Sequence, residues 1–168
     1  MQINVLPHQD LSDRPTGCCA RFDPEGWNGL VLRFREKPFL RAETRSAMYM
    51  PLDMARVFAR VLGRIEASCG FDPDDTLVLS HDLSPWRAEH FFAVKGDVEG
   101  EEMTTMTGDF ITKVFEGPYR QVGSWRTEME ALVRDRGKVP GRIYFYYTTC
   151  PACAKAMGRN YVVGLAEV

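Results

Sequence analysis

No apolar stretch in the chain approaches the roughly 20 residues that a bilayer-spanning helix requires, so the sequence reads as having no membrane span. Charge of one sign is also missing. Lys and Arg number 21 against 23 Asp and Glu, a net charge of −2, and no polybasic run offers a surface for nucleic acid or anionic lipid. Residues 1–17 lack the basic start and apolar core of a secretory leader. The expectation is therefore a cytoplasmic protein, with thiols reduced or metal-bound rather than paired in structural disulfides. Histidine is scarce: His8, His81 and His90 are the only three, and none is at H-x-x-x-H spacing. There is no G-x-S-x-G, no Ser-His-Asp pattern and no phosphate-cradling glycine loop, which argues against a serine hydrolase and a nucleotide-binding enzyme.

The 168 residues suffice for one domain with a substantial core. Residues 1–29 read as an arm carrying Cys18-Cys19, polar over 1–17, where Pro7, Pro15 and Gly17 disfavour regular structure. Residues 30–168 read as the domain itself. Alternation at Leu30, Leu32 and Phe34 predicts a strand, with a second extended piece from Phe39 to Glu43 after Lys37-Pro38. A helix follows Pro51, with Asp53 as its N-cap. Its stripe of Met54, Val57, Phe58, Val61, Leu62 and Ile65 recurs at three- and four-residue spacing until Cys69-Gly70. Strands over 76–80 and 90–95, joined by an 82–88 loop, complete a first unit at about residue 98.

The second unit, about 99–168, has the same order. Extended segments at 103–106 and 110–115 precede the Gly117-Pro118 turn. A helix carries Val122, Trp125, Met129, Leu132 and Val133, and strands follow at 143–147 and 161–166. The predicted fold class is α+β, two strand–helix–strand–strand (βαββ) units whose antiparallel sheet carries both helices on one face.

Phe115-Glu116-Gly117-Pro118-Tyr119, with Trp125 six residues on, resembles the GyrI-like small-molecule-binding family of effector-binding domains. Its members are built from two βαββ units, with a GPY turn opening the second helix. Cys18-Cys19-Ala20-Arg21-Phe22-Asp23-Pro24 and Tyr146 through Cys153 resemble an uncharacterised bacterial subgroup often labelled hydrolase. The resemblance implies a cleft for a small molecule. Many family members also carry a pocket glutamate in the last strand. Residues 161–165 here contain no acid, so cation binding is not carried over. The roughly 60 further residues of a helix-turn-helix module are not present.

Three chemistries are open. The aromatics Trp86, Tyr119, Trp125, Tyr144, Tyr146 and Tyr161 could wall a cleft for a small hydrophobic or aromatic molecule, their phenol and indole groups orienting it. The competing reading places half of them, Trp125 first, in the core. For hydrolysis, Glu89 and Glu116, with Glu128 behind them, could activate water, and His81 or His90 could act as acid or base if either lined a pocket. Finally, Cys150 and Cys153 at C-x-x-C spacing could join Cys18 and Cys19 around one structural zinc ion, provided a turn at Gly17 makes the adjacent pair converge. A local thiol switch, or cysteines that merely pack, are the alternatives.

Overall fold

The computed structural model describes residues 2–168. Six antiparallel strands carry the architecture: β1 (Val31–Ala47), β3 (Val78–Ser84), β4 (Arg87–Ala93), β5 (Glu102–Glu116), β6 (Ile143–Tyr147) and β7 (Tyr161–Glu167). A two-residue β2 (Met50–Pro51) folds back on the end of β1. The sheet runs β1-β4-β3-β6-β7-β5, and β5 pairs again with β1 from Val31↔Ile111 to Arg41↔Glu102. The six strands thus close into a barrel. Closure is the main departure from the predicted open sheet, and its cause is the length of two strands. The separate extended pieces expected at 30–34 and 39–43 are one 17-residue strand, with a register shift between Phe34 and Lys37. The pieces at 103–106 and 110–115 are likewise one 15-residue strand. Each is long enough to pair on both sides, which removes the exposed edges of an open sheet.

Strand alternation sorts the side chains into an interior and an outer layer. Leu32, Phe34, Phe39, Leu79, Phe91, Phe110, Tyr144, Tyr146, Val163 and Leu165 fill the barrel. Opposite parities face two helices outside. Helix α1 (Met54–Ser68) lays Val57, Val61 and Ile65 on Leu40, Ala42 and Phe92. Helix α2 (Val122–Asp135) lays Trp125, Met129 and Val133 on Phe115, Phe145, Val162 and Ala166. These are the stripes read from the sequence. Asp53 does precede α1, but its carboxylate accepts from the Arg45 backbone N–H at 2.7 Å instead of capping the helix. Among the described residues no helix is long and apolar enough to cross a membrane.

Two further elements differ from expectation. The 82–88 loop is a tight hairpin at Pro85-Trp86, because β3 and β4 each run further than their apolar residues suggested. A short helix α3 (Pro151–Met157) stands between β6 and β7, starting at Cys150 and ending on Gly158 at φ +72°. The arm before β1 has no helix or strand, yet it is not a solvated tail. It inserts Leu6, Phe22 and Trp27 into the barrel core, with Trp27 1% exposed. The Thr112 hydroxyl donates to the Trp27 carbonyl, and Asn28 accepts from the Val114 N–H.

Candidate functional site

The two ends of the barrel are chemically unlike. At one, α3 begins at Cys150, and the C-x-x-C spacing turns Cys150 and Cys153 toward the arm. Gly17, at φ +76°, reverses the arm so that the adjacent Cys18 and Cys19 converge, their sulfurs 3.9 Å apart. All four sulfurs lie within 4.8 Å of one another. Four thiolates around one ion at about 2.3 Å would stand about 3.8 Å apart, so the donor set fits a tetrahedral metal with a small contraction. All four cysteines are free of disulfides, and sulfurs this far apart are well beyond the roughly 2.05 Å of such a bond. The Thr16 hydroxyl lies 3.1 Å from the Cys153 sulfur, and the Cys150 N–H points at the Cys19 sulfur at 3.4 Å. Hydrogen bonds from Thr16 and from the Cys19 N–H bring the Cys153 thiol down to about 6. Burial pushes Cys19 up to about 12, and hydrogen bonding with Cys153 raises Cys18. Negative charge is therefore concentrated on Cys153 and relieved by its neighbours, the condition a cation would complete. Cys69, at the end of α1, takes no part.

At the other end, interior-facing positions carry charge instead of hydrocarbon. Glu89 on β4 is 5% exposed. Its Oε1 is 3.0 Å from Nδ1 of His81 on β3, and its Oε2 accepts from Nε of Arg41 on β1 at 2.9 Å, with Nη2 in ion-pair contact at the same distance. Register explains the convergence, since His81↔Glu89 and Glu43↔Glu89 are cross-strand partners. Arg41 also reaches Glu43 at 2.8 Å and Glu102 at 3.1 Å. These carboxylates, Glu43 first, hold the Arg41 guanidinium protonated well above its ordinary value, while Arg41 and Arg87 lower Glu43. No described residue hydrogen-bonds Nε2 of His81. Beside the imidazole stands Tyr144, ring centroids 5.5 Å apart. Burial raises the Tyr144 phenol, outweighing the lowering effect of nearby Arg142. A carboxylate that accepts from Nδ1 leaves the Nε2 lone pair free, and the phenol remains a donor at neutral pH.

The six predicted ligand aromatics do not form one wall. Trp86 sits 57% exposed on the β3–β4 hairpin. Tyr119 donates to the Thr149 carbonyl beside the cysteines. Trp125 stacks on Phe115 at 5.2 Å in the outer core, the competing reading of that residue. Tyr144 and Tyr146 point into the barrel, packed among its core side chains. Of the six, Tyr161 lines a cavity of about 650 Å³ between the arm and the β6–β7 region, with Arg21, Phe22, Asp23, Thr148 and Arg159. Of the carboxylates, Glu116 is exposed, 3.8 Å from Arg159, and Glu128 pairs with Lys113 at 3.0 Å. His90 is buried on the α1 side between the Thr44 and Ser80 hydroxyls. Sequence reasoning does not single out Arg41, and it names His81 as an acid or base only if it lines a pocket. The signal available was parity: His81, Glu89 and Arg41 each share a strand face with interior apolar residues.

The model of one family, described as "Bacterial hydrolase", matches residues 9–168. No curated protein matches the chain. The match spans the arm cysteines, the whole barrel and both chemically distinct ends, so the chain belongs to the bacterial hydrolase family.

Proposed function

We propose that this protein hydrolyses a small molecule at the polar end of its barrel, with His81 as general base. The observation that carries the reading is the Glu89–His81 pair, 3.0 Å apart, with Nε2 left free. Glu89 fixes the tautomer and steadies the imidazolium that forms, and Arg41 holds the buried carboxylate in place. Nε2 takes a proton from water as the oxygen attacks an acyl carbon. The Tyr144 hydroxyl donates to the developing oxyanion. The bond to the leaving group then breaks, and that group receives the proton from His81. Glu89 keeps a role among the carboxylates named from the sequence, and Glu116 has none.

One zinc ion held by Cys18, Cys19, Cys150 and Cys153 is the second part of the proposal, since all-sulfur tetrahedral ligation suits that ion. Four sulfurs leave no position for water, so the ion takes no part in the hydrolysis. The recurring strand–helix–strand–strand order, with α3 inserted before β7, supports kinship with GyrI-like domains. Free cysteines support a cytoplasmic setting. As substrate we propose a small hydrophobic or aromatic compound.

The test is a turnover screen of the purified chain against aryl esters, lactones and amides. Hydrolysis by the wild type that falls by about 10²-fold or more in His81→Gln, with the fold retained, supports the reading. Turnover unchanged in His81→Gln removes it. Compounds that raise Tm without being consumed would make the protein a binding module instead.

A further inference from the structure

The arm is bonded to the barrel unevenly. Gln9 is anchored by its N–H to the Pro73 carbonyl, its side-chain amide to the Thr76 carbonyl, and the Tyr146 hydroxyl that donates to it. Beyond residue 24 the Trp27 carbonyl, Asn28 and Gly29 are tied to β5. Between these anchors, residues 10–24 bond mostly to themselves: Ser12 to Asp10, Arg14 to Leu11, and Arg21 to Asp13. Apart from turn bonds to Glu25 and Trp27 within the arm, the direct hydrogen bonds among the described residues that join 10–24 to the barrel and α3 all run from Thr16, Cys18 or Cys19 to Cys150 and Cys153. Apolar packing adds Phe22, whose ring lies 5.9 Å from Tyr146 and 6.1 Å from Tyr161. The 650 Å³ cavity separates much of the remaining segment from β6 and β7.

We infer that the four-cysteine ion is the clasp of a lid: it pins residues 10–24 across the end of the barrel and so holds Phe22 over Tyr146 and Tyr161. The inference rests on the zinc reading above and adds what the ion holds shut. Thiol hydrogen bonds are weak, and a 15-residue loop closed by little else would open at small cost. Four metal–sulfur bonds joining positions more than 130 residues apart would change that, and their formation releases the thiol protons to solvent. Without the ion, the cavity opens onto the Tyr146 and Tyr161 rings and the segment carrying Arg14 and Arg21 becomes a protease target.

The experiment compares the full chain as purified with zinc against the same protein stripped by a chelator, and reads three quantities. Metal analysis gives zinc per chain, hydrogen exchange gives segment-by-segment protection, and brief trypsin treatment reports cleavage at Arg21. The expected result is one zinc per chain, exchange over 10–24 faster by about tenfold or more once it is removed, unchanged protection in β1, β4 and β5, and trypsin cutting confined to Arg21, since Pro15 protects the bond after Arg14. Re-adding zinc restores protection, and Cys18→Ser reproduces the stripped state in part. Zinc that is bound and removed with no change over 10–24 overturns the clasp and leaves the zinc reading standing. Loss of protection throughout the barrel also overturns it, because the ion would then hold the whole fold. A chain that binds no zinc overturns both.

Discussion

Replacing Glu89 by Gln alters one atom in the polar cluster, and the hydrogen-bond inventory dictates the consequence. Arg41 directs both Nε and Nη2 at Oε2 from 2.9 Å, and a guanidinium can only donate. The glutamine must therefore turn its carbonyl oxygen to Arg41. Its NH₂ group then faces His81 Nδ1, which occupies the 3.0 Å position opposite Oε1. To accept that hydrogen bond Nδ1 must give up its proton, so the neutral imidazole carries its proton on Nε2. The nitrogen required as base is blocked. The expected rate loss is about 10²- to 10⁴-fold, or roughly 3–5 kcal/mol of transition-state stabilisation. The fold should survive, because Arg41 keeps Glu43 and Glu102. The cost of the lost charge-assisted bonds is about 1–3 kcal/mol. Nitrogen-15 NMR of the histidine rings, above the pH where His81 is protonated, reads the tautomer without any substrate. Wild type should show the Nδ1–H form and Glu89→Gln the Nε2–H form, while Glu116→Gln, altered at an exposed carboxylate, should match wild type. The same tautomer in wild type and Glu89→Gln would refute the reasoning, as would undiminished turnover.

Burial lowers the pKa of His90 to about 4, against about 6.5 in the unfolded chain. Between those values the unfolded state binds more protons. Stability therefore falls as pH drops from about 6.5 toward 4, by about 2.5 kcal/mol at pH 4.5. Urea unfolding at pH 7.5 and 4.5 should show that loss in wild type and a smaller one in His90→Gln; parallel losses would remove the assignment. Gly164 lies on β7 where a methyl group would come within 2.8 Å of the Met129 sulfur and 3.2 Å of the Phe115 ring. Gly164→Ala should cost about 1–3 kcal/mol through displaced packing under α2, measured as a lowered denaturant midpoint.

The helices were legible because their partners are local to the pattern. Val57, Val61 and Ile65, and then Trp125, Met129 and Val133, repeat at helical spacing whatever they pack against. The barrel was not. Closure depends on β1 pairing with β5 across some seventy residues, and nothing in either segment's own sequence says that it will have a second partner. The arm was misread for a related reason. Pro, Gly and Asp correctly forbid regular structure, but irregular backbone can still deliver Phe22 and Trp27 to a core that only the closed barrel provides. The cysteine grouping was legible, since C-x-x-C spacing and a Gly17 turn are local features. The polar cluster was half legible: Glu89 stood out as a carboxylate. His81 and Arg41 acquire meaning only when β3, β4 and β1 lie side by side in one register.

A hydrolase family and a four-sulfur cluster in one chain invite the reading of a metallohydrolase, and the geometry argues against joining them. Strand β6 begins beside the dyad, with Tyr144 next to His81, and it leads away from it. Cys150 comes three residues beyond the strand's far end. Between the two, the barrel is filled by Phe91, Phe110, Tyr146 and Val163, so a water molecule polarised at the sulfurs would have no path to the imidazole. A catalytic metal needs an open coordination position, which a complete thiolate set denies. The proposed catalysis at the polar end needs instead a carboxylate held against His81, and Arg41 positions Glu89 there with no metal ion. On the proposed reading the two ends divide the labour, one clasping the arm and the other presenting a base. Chelation should then loosen the arm while the His81 tautomer stays as it was.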